Sequence, residues 1–290
     1  MYVVTGATGN VGRALVHSLH AAGEPVTAVA RRIDAAGLPE GVRTTAADLT
    51  DPATLGPALR GAEAVFLMVP PTLAPEADAA VMAAVKEAGV GRVVVLSSQS
   101  AATRPDSAGH GLRMRHFEDE AKAAGLGWTV IRPGGFASNA YAWAESVRTR
   151  RAVFAPFADV PLPVIHPDDI AEVGAAALRE PAHDGRTYVL TGPELITVRR
   201  MAAELGQALG EEIAFTELTR AEAKAGMLAF MPEAVAEGTL NILGTPTAEE
   251  QRISPDVRRV LGREPRSFAA WAGQNAAAFG LSAVRSPAAP

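Results

Sequence analysis

Thr5-Gly6-Ala7-Thr8-Gly9-Asn10-Val11-Gly12 is the stretch that decides the fold. Before it stands Tyr2-Val3-Val4-Thr5, a β-branched run that reads as a strand. After it, Val11, Leu15 and Leu19 recur four apart, the spacing of one helical face. A glycine triplet between a strand and a helix has a mechanical reading. Gly6 permits a tight turn, Gly9 lets the backbone approach a pyrophosphate, and Gly12 lets the helix lie close on the strand. The first turn of the helix then offers free N–H groups to the anion. The stretch predicts a dinucleotide site.

Working outward, short β-branched runs alternate with Ala-rich helical stretches. Strands are expected over residues 25–30, 42–47, 64–69, 92–96, 128–131 and 187–190, with helices over 10–22, 77–88 and 111–124. Strands apolar on both faces and separated by helices indicate a parallel sheet covered on both sides. The expected fold class is α/β, a Rossmann-type doubly wound parallel sheet that binds its ligand at the carboxyl ends of the strands. After Gly134 the rhythm changes to a helix, a loop with Pro156, Pro161 and Pro163, and then mainly helical sequence. Start signals stand at His166-Pro167-Asp168-Asp169, Thr219 with Glu222, Ser254-Pro255 and Ser267, with a stop at Gly280. These divide the chain into a dinucleotide-binding domain (1–135 and 166–191), a smaller, mainly helical substrate lobe (136–165 and 192–280) and a loose, flexible tail (281–290).

Composition removes broad classes. The 290 residues hold no Cys, which excludes disulfides, thiolate nucleophiles and Cys-ligated metals. The scattered histidines give no metal-ligand spacing, so no metal is expected. With 27 Lys+Arg against 32 Asp+Glu, the net charge of −5 argues against a nucleic-acid partner. Apolar runs such as Val65–Val69 are far shorter than the roughly 20 residues of a membrane span. The chain reads as soluble and cytoplasmic, with no membrane partner; assembly into a homo-oligomer is left open.

The second strand ends in Ala30-Arg31-Arg32, where an NAD site usually carries an acid for the ribose hydroxyl. No acid appears until Asp34. Two adjacent guanidiniums favour NADP, NADPH over NADH, by bidentate contact with a 2′-phosphate. In Asp48-Leu49-Thr50-Asp51, a carboxylate could lie near the adenine amino group, or Asp51 could cap a helix opened by Pro52.

TGATGNVG, this DLTD segment, VVVLSS ending at Ser98, WTVIRPGGF (128–136) with Asn139 after it, HPDDIA (166–171) and YVLTGPE (188–194) occur in that order. The series resembles the NmrA-like group of atypical short-chain dehydrogenase/reductases, which includes NAD(P)H quinone oxidoreductases, over nearly the whole chain. The resemblance implies a Rossmann-type domain, an NAD(P) cofactor and a substrate cleft between lobes. By position, it implies cofactor contacts from Gly6, Ala7, Thr8, Gly9, Asn10, Val11, Gly12, Arg31, Asp48, Leu49, Met68, Val69, Pro70, Ser97 and Pro133. Gln99, Phe136 and Asn139 would lie toward the substrate and nicotinamide.

One feature of the superfamily is missing. Its usual proton donor is a Tyr followed four residues later by a Lys. The three tyrosines here, Tyr2, Tyr141 and Tyr188, are followed at that distance by Gly6, Glu145 and Gly192. The matching helix carries His116 and Glu120. His116 would be a general acid oriented by Glu120, a wall of the nicotinamide pocket, or half of an ordinary i,i+4 pair. Ser98 would donate a hydrogen bond to the acceptor, or cap the loop that starts at Gln99. Reducing a ketone makes an alkoxide, whose conjugate acid is about as weak as water (about 15.7), whereas a quinone yields a phenolate near the Tyr value of about 10. A missing phenol therefore fits a small aromatic, quinone-like or polycyclic acceptor. A non-catalytic NAD(P)-binding sensor and a tailoring reductase of aromatic polyketides are the alternative readings. An apolar cluster, Met227, Leu228, Phe230 and Met231, is either a pocket wall or core or interface.

Overall fold

The computed structural model describes residues 1–33, 37–70 and 73–280. Asp34, Pro71 and the expected tail over 281–290 lie outside the described residues. The strands are β1 (Tyr2–Thr5), β2 (Val26–Ala30), β3 (Arg43–Ala46), β4 (Ala64–Met68), β5 (Arg92–Leu96), β6 (Gly127–Pro133), β7 (Ala152–Pro156), β8 (Arg186–Leu190) and β9 (Ala214–Leu218). The helices are α1 (Asn10–Ala21), α2 (Gly56–Leu59), α3 (Asp78–Glu87), α4 (Ser100–Thr103), α5 (His110–Ala123), α6 (Ala144–Arg150), α7 (Pro167–Arg179), α8 (Val198–Leu209), α9 (Arg220–Met227), α10 (Glu233–Gly244), α11 (Asp256–Leu261) and α12 (Phe268–Asn275).

The chain forms two compact units. The first comprises Met1–Gly134, Pro167–Thr191 and Ser254–Pro265. Its sheet runs β3-β2-β1-β4-β5-β6-β8, every neighbouring pair parallel. The order reverses between β1 and β4, the switch point at which doubly wound sheets bind ligands. Alternation sets the two faces. Val3, Val65, Leu67, Val93 and Val95 point into one core with Leu55, Leu59, Val81, Val85 and Phe117 from the helical side. On the other face α1 packs against α7. There Gly174 lies against the Phe66 ring, which a Cβ would meet at 3.0 Å, so a larger residue would hold α7 off the sheet. Ser254–Pro265 group with this unit rather than with the late helices. Arg263 clasps Asp169 at 2.7 Å and also bonds Glu172 on α7, and Asp256 accepts from Val189 N at 2.9 Å.

The second unit comprises Gly135–His166, Gly192–Ile253 and, among the described residues, 266–280. Beside its helices it holds a parallel pair, β7 with β9, which the sequence reading did not foresee. Both strands are short; β7 lies among prolines and β9 is mostly exposed, so neither gives an apolar period. Trp271, Phe268, Phe279, Leu205 and Val153 form its core. The expected starts at Thr219 and Ser267 are present. Thr219 and Glu222 make a reciprocal capping box, and Ser267 accepts from Ala270 N.

Candidate active site

The glycine turn is built as its spacing requires. Gly6 has φ +63°, and a Cβ there would lie 2.8 Å from Met68 Sδ. Such a φ is open to glycine at little cost. A Cβ on Gly12 would meet Gly6 O at 2.2 Å, so α1 approaches the turn as closely as only glycine allows. Gly9 N donates to Gly6 O at 2.9 Å and Ala7 N to Val29 O at 3.1 Å, which ties the turn to the end of β2. Gly9 occupies the N-cap of α1 with no side-chain cap, and the first turn holds no acidic residue. Its N–H groups remain available to an anion, and the turn fits a pyrophosphate. Thr8 and Asn10 are exposed; Ala7, Val11 and Gly12 are buried beneath them.

The other expected cofactor residues of this unit follow the carboxyl edge of the sheet in strand order. Arg31 is exposed just past β2; Met68, Val69 and Pro70 are half-buried at the end of β4; Ser97 follows β5; Pro133 ends β6. Asp48 accepts from Thr50 N at 2.9 Å, and that bond, helped by the Arg31 charge, lowers its pKa against the effect of burial. Leu49 is buried. Asp51 stands at the N-cap of the short turn Pro52–Thr54, but its carboxylate makes no capping bond.

Two hydroxyls are engaged with the protein. Ser97 donates to Glu118 Oε1 at 2.5 Å. Glu118, fully buried, also receives Arg132 Nε and Nη2 at 2.8 and 2.6 Å and Lys122 Nζ at 3.0 Å. Burial alone would raise this carboxyl; the bonds from Arg132 and Ser97 and the Arg132 charge outweigh it, and its pKa is lowered. Ser98 pairs with the Ser100 hydroxyl at 2.9 Å and accepts from Ser100 N, so it caps the start of α4. Gln99 is buried, with its N–H on Pro133 O at 3.0 Å.

His116 does not pair with Glu120. Its Nδ1 lies 2.8 Å from Asp78 Oδ2, on a helix 38 residues away in sequence. Asp78 is fully buried and also receives Arg113 Nη1 and Nη2 at 2.7 and 2.6 Å; Arg113 Nε holds Leu73 O at 3.1 Å. The i,i+4 spacing named the wrong partner because it fixes a shared helix face and not what packs against that face. Asp78 went unread, since nothing local in Ala77-Asp78-Ala79 distinguishes it from an ordinary first-turn acid. His116 keeps 47% of its side chain exposed, with Nδ1 committed to the carboxylate.

Two of the three phenols are shifted away from ionisation. Burial, together with Glu63 and Glu24, raises the Tyr2 pKa; burial also raises that of Tyr188, whose hydroxyl bonds His183 at 2.8 Å. Tyr141 donates to Asn275 in the second unit. Phe136 and Asn139 also belong to that unit, Phe136 bridging to Ile165. In the apolar cluster, Leu228 and Phe230 are exposed. Among the described residues no group of three or more His, Asp or Glu could hold a metal ion, and no helix is long and apolar enough to cross a membrane.

The family described as NAD(P)H-binding matches residues 6–181, more than half of the chain. This protein belongs to the NAD(P)H-binding family. NAD(P)H is its cofactor, and it is an NAD(P)H-dependent oxidoreductase, as the NmrA-like resemblance implied. It is similar to a (4-alkanoyl-5-oxo-2,5-dihydrofuran-3-yl)methyl phosphate reductase of Streptomyces griseus, 38% identical over 287 residues, covering 96% of this chain and 99% of the relative. An NAD(P)H azoreductase of Xenophilus azovorans is 33% identical over 292 residues, covering 97% and 100%. An NADPH-dependent quinone oxidoreductase from Escherichia coli, solved in complex with NADPH, shares the fold with a TM-score of 0.77 at 24% identity, covering 94% of this chain and 99% of that one.

Proposed function

We propose that this oxidoreductase reduces a small, electron-poor conjugated acceptor of quinone or related type and prefers NADPH to NADH. The observation that carries the reading is the state of the tyrosines. No Tyr-Lys pair exists, and burial raises two of the three phenols. Bound NADPH supplies a hydride. A conjugated acceptor that takes it spreads the resulting negative charge over its π system; for a quinone the two-electron product is a hydroquinone, whose phenolate, with a pKa near about 10, needs little acid help. An alkoxide from a simple ketone would need a strong, positioned donor. The relatives' names support this choice, since an azo group and an oxo-dihydrofuran bearing an acyl group are conjugated acceptors too.

In this reading Gly6–Gly12 seat the pyrophosphate and Arg31 the 2′-phosphate. Asp78 orients His116, which hands the proton to the acceptor through its other ring nitrogen. Ser97, with its hydroxyl held by Glu118, and Pro133 form the floor of the site, and Gln99, whose N–H bonds Pro133 O, lies on the acceptor side.

The test is NADPH oxidation against a panel of quinones, azo dyes, unsaturated lactones and simple ketones, with NADH in parallel and oxygen uptake followed. Turnover of conjugated acceptors with ketones left untouched is expected. Equal turnover of ketones would overturn the acceptor class. No NADPH consumption with any acceptor would favour binding without turnover, and oxygen uptake would favour a tailoring role on aromatic polyketides. Arg31→Asp should weaken NADPH about 10- to 100-fold more than NADH, the scale of one charge-assisted hydrogen bond. Equal losses would remove the 2′-phosphate role.

A further inference from the structure

We propose that Arg13 is a further specificity-determining residue, which forms with Arg31 and Arg32 a seat of three guanidiniums for the 2′-phosphate; the proposal rests on the NADPH reading above. Arg13 follows Gly12 on α1 and is exposed. Its side chain nevertheless has a fixed course. Nη2 donates to the Thr8 carbonyl at 3.1 Å, which lays the guanidinium along the glycine turn. The same group borders Gly37: a Cβ built there would find Arg13 Nη1 at 3.6 Å, Cζ at 3.8 Å and Nε at 3.9 Å. Gly37 has φ +79°, and its carbonyl accepts from the ring of His17, one turn further along α1, at 2.9 Å. Arg13 thus spans the turn after β1 and the connection after β2. The two are already joined, because Ala7 N bonds Val29 O, two residues before Arg31. Neither Arg13, Arg31 nor Arg32 makes an ion pair among the described residues. The charge of Arg31 is felt at Asp48 on the far side of β2.

The chemistry separates two dinucleotides. A guanidinium presents five N–H donors in a rigid plane, and the Thr8 bond uses one, leaving roughly four for a phosphate. A ribose hydroxyl in the same place brings no charge for Arg13 to meet. Arg13 therefore discriminates NADPH from NADH rather than tightening both. A residue that merely clamped the turn would affect the two equally.

The experiment titrates the full-length protein with NADPH, NADH, adenosine 2′-monophosphate and adenosine 5′-monophosphate, comparing wild type with Arg13→Met and Arg13→Lys. Arg13→Met should weaken NADPH and the 2′-monophosphate about tenfold and leave the other two within about twofold, with Arg13→Lys recovering part of the loss. Equal losses for both dinucleotides, or no loss for either, would overturn the proposal. If Arg13→Met folds poorly, Arg13→Lys carries the comparison, since a compact ammonium cannot hold Thr8 and meet a phosphate together. The underlying reading fails separately: it fails if wild type shows no NADPH preference and Arg31→Asp does not discriminate. Discrimination at Arg31 but not at Arg13 sinks only the role of Arg13.

Discussion

Two glycines of one turn should fail in different ways when given the same methyl group. In Gly12→Ala the new Cβ would stand 2.2 Å from Gly6 O and 2.7 Å from Gly6 C, both backbone atoms that no rotamer can move. Relief requires α1 to back away from the turn by about an ångström, with loss of packing around Val11 and Leu15. Overpacking of this kind costs about 1–3 kcal/mol and sometimes more. Alanine returns up to about 1 kcal/mol as the better helix former. With the contact this short, a net loss of about 2 kcal/mol is expected, or a fall in melting temperature of about 4–8 °C. In Gly9→Ala the Cβ meets only Gly6 O, at 3.3 Å, and φ at Gly9 is −83°. The fold should tolerate it within about 0.5 kcal/mol, the scale of an innocuous substitution. The methyl instead occupies space beside the N-terminus of α1, where the pyrophosphate would lie. Urea unfolding followed by circular dichroism measures the first cost, and NADPH titration of the folded variants the second. A Gly12→Ala protein as stable as wild type would refute the close-approach argument. Gly9→Ala with unchanged NADPH affinity would refute the placement of the phosphate.

Further expectations concern the acids and the histidine. Glu118→Gln removes the charge facing Arg132 and should destabilise the protein by about 3 kcal/mol at neutral pH, as for a broken buried pair. Because the folded pKa of Glu118 is lowered, its contribution is present above the unfolded value near 4.5 and disappears as pH falls through the folded one. The stability gap between wild type and variant should therefore close in acid, and a gap constant down to pH 3 in urea titrations would contradict the role given to the carboxylate. His116→Ala should lower turnover about tenfold at unchanged cofactor affinity, less than the usual ~10²–10⁴ of a general acid because a phenolate needs little help. Asp78→Asn should reproduce part of that loss, and adding it to His116→Ala should cost little more; independent, multiplying losses in steady-state assays would separate the two residues.

The main sheet was legible because its central strands β1, β4 and β5 are almost entirely buried and its turn chemistry is local. Val93-Val94-Val95 announces a strand apolar on both faces, and Gly6 and Gly12 announce a turn that only they can make. What stayed hidden depends on distant partners. The ring of His116 meets an acid on α3, and Glu118 meets Arg132 on β6; neither meeting leaves a periodic trace. The pair β7 and β9 was missed for a related reason. The register that sets Val153 beside Phe215 joins segments 62 residues apart. Gly12 and Arg31 stand at motif positions, whereas the course of the Arg13 side chain is set by the Thr8 carbonyl and no motif marks it.

Thr5 has a consequence of its own. The β1–β4 ladder ends at Val4, where the main chain must leave to make the glycine turn. The Thr5 hydroxyl then donates to Phe66 O at 3.0 Å and accepts from Met68 N at 2.9 Å, so one side-chain oxygen serves as donor and acceptor at once. It acts as a surrogate peptide group that lengthens the sheet by one rung after the backbone has gone. Strand β4 can thus reach further toward the ligand than β1 does, and the crevice gains a rigid wall on one side without an open edge. A chain with valine here would keep the shape but would have to shorten β4 or bury two unpaired groups. The length of that wall is set by a single oxygen atom.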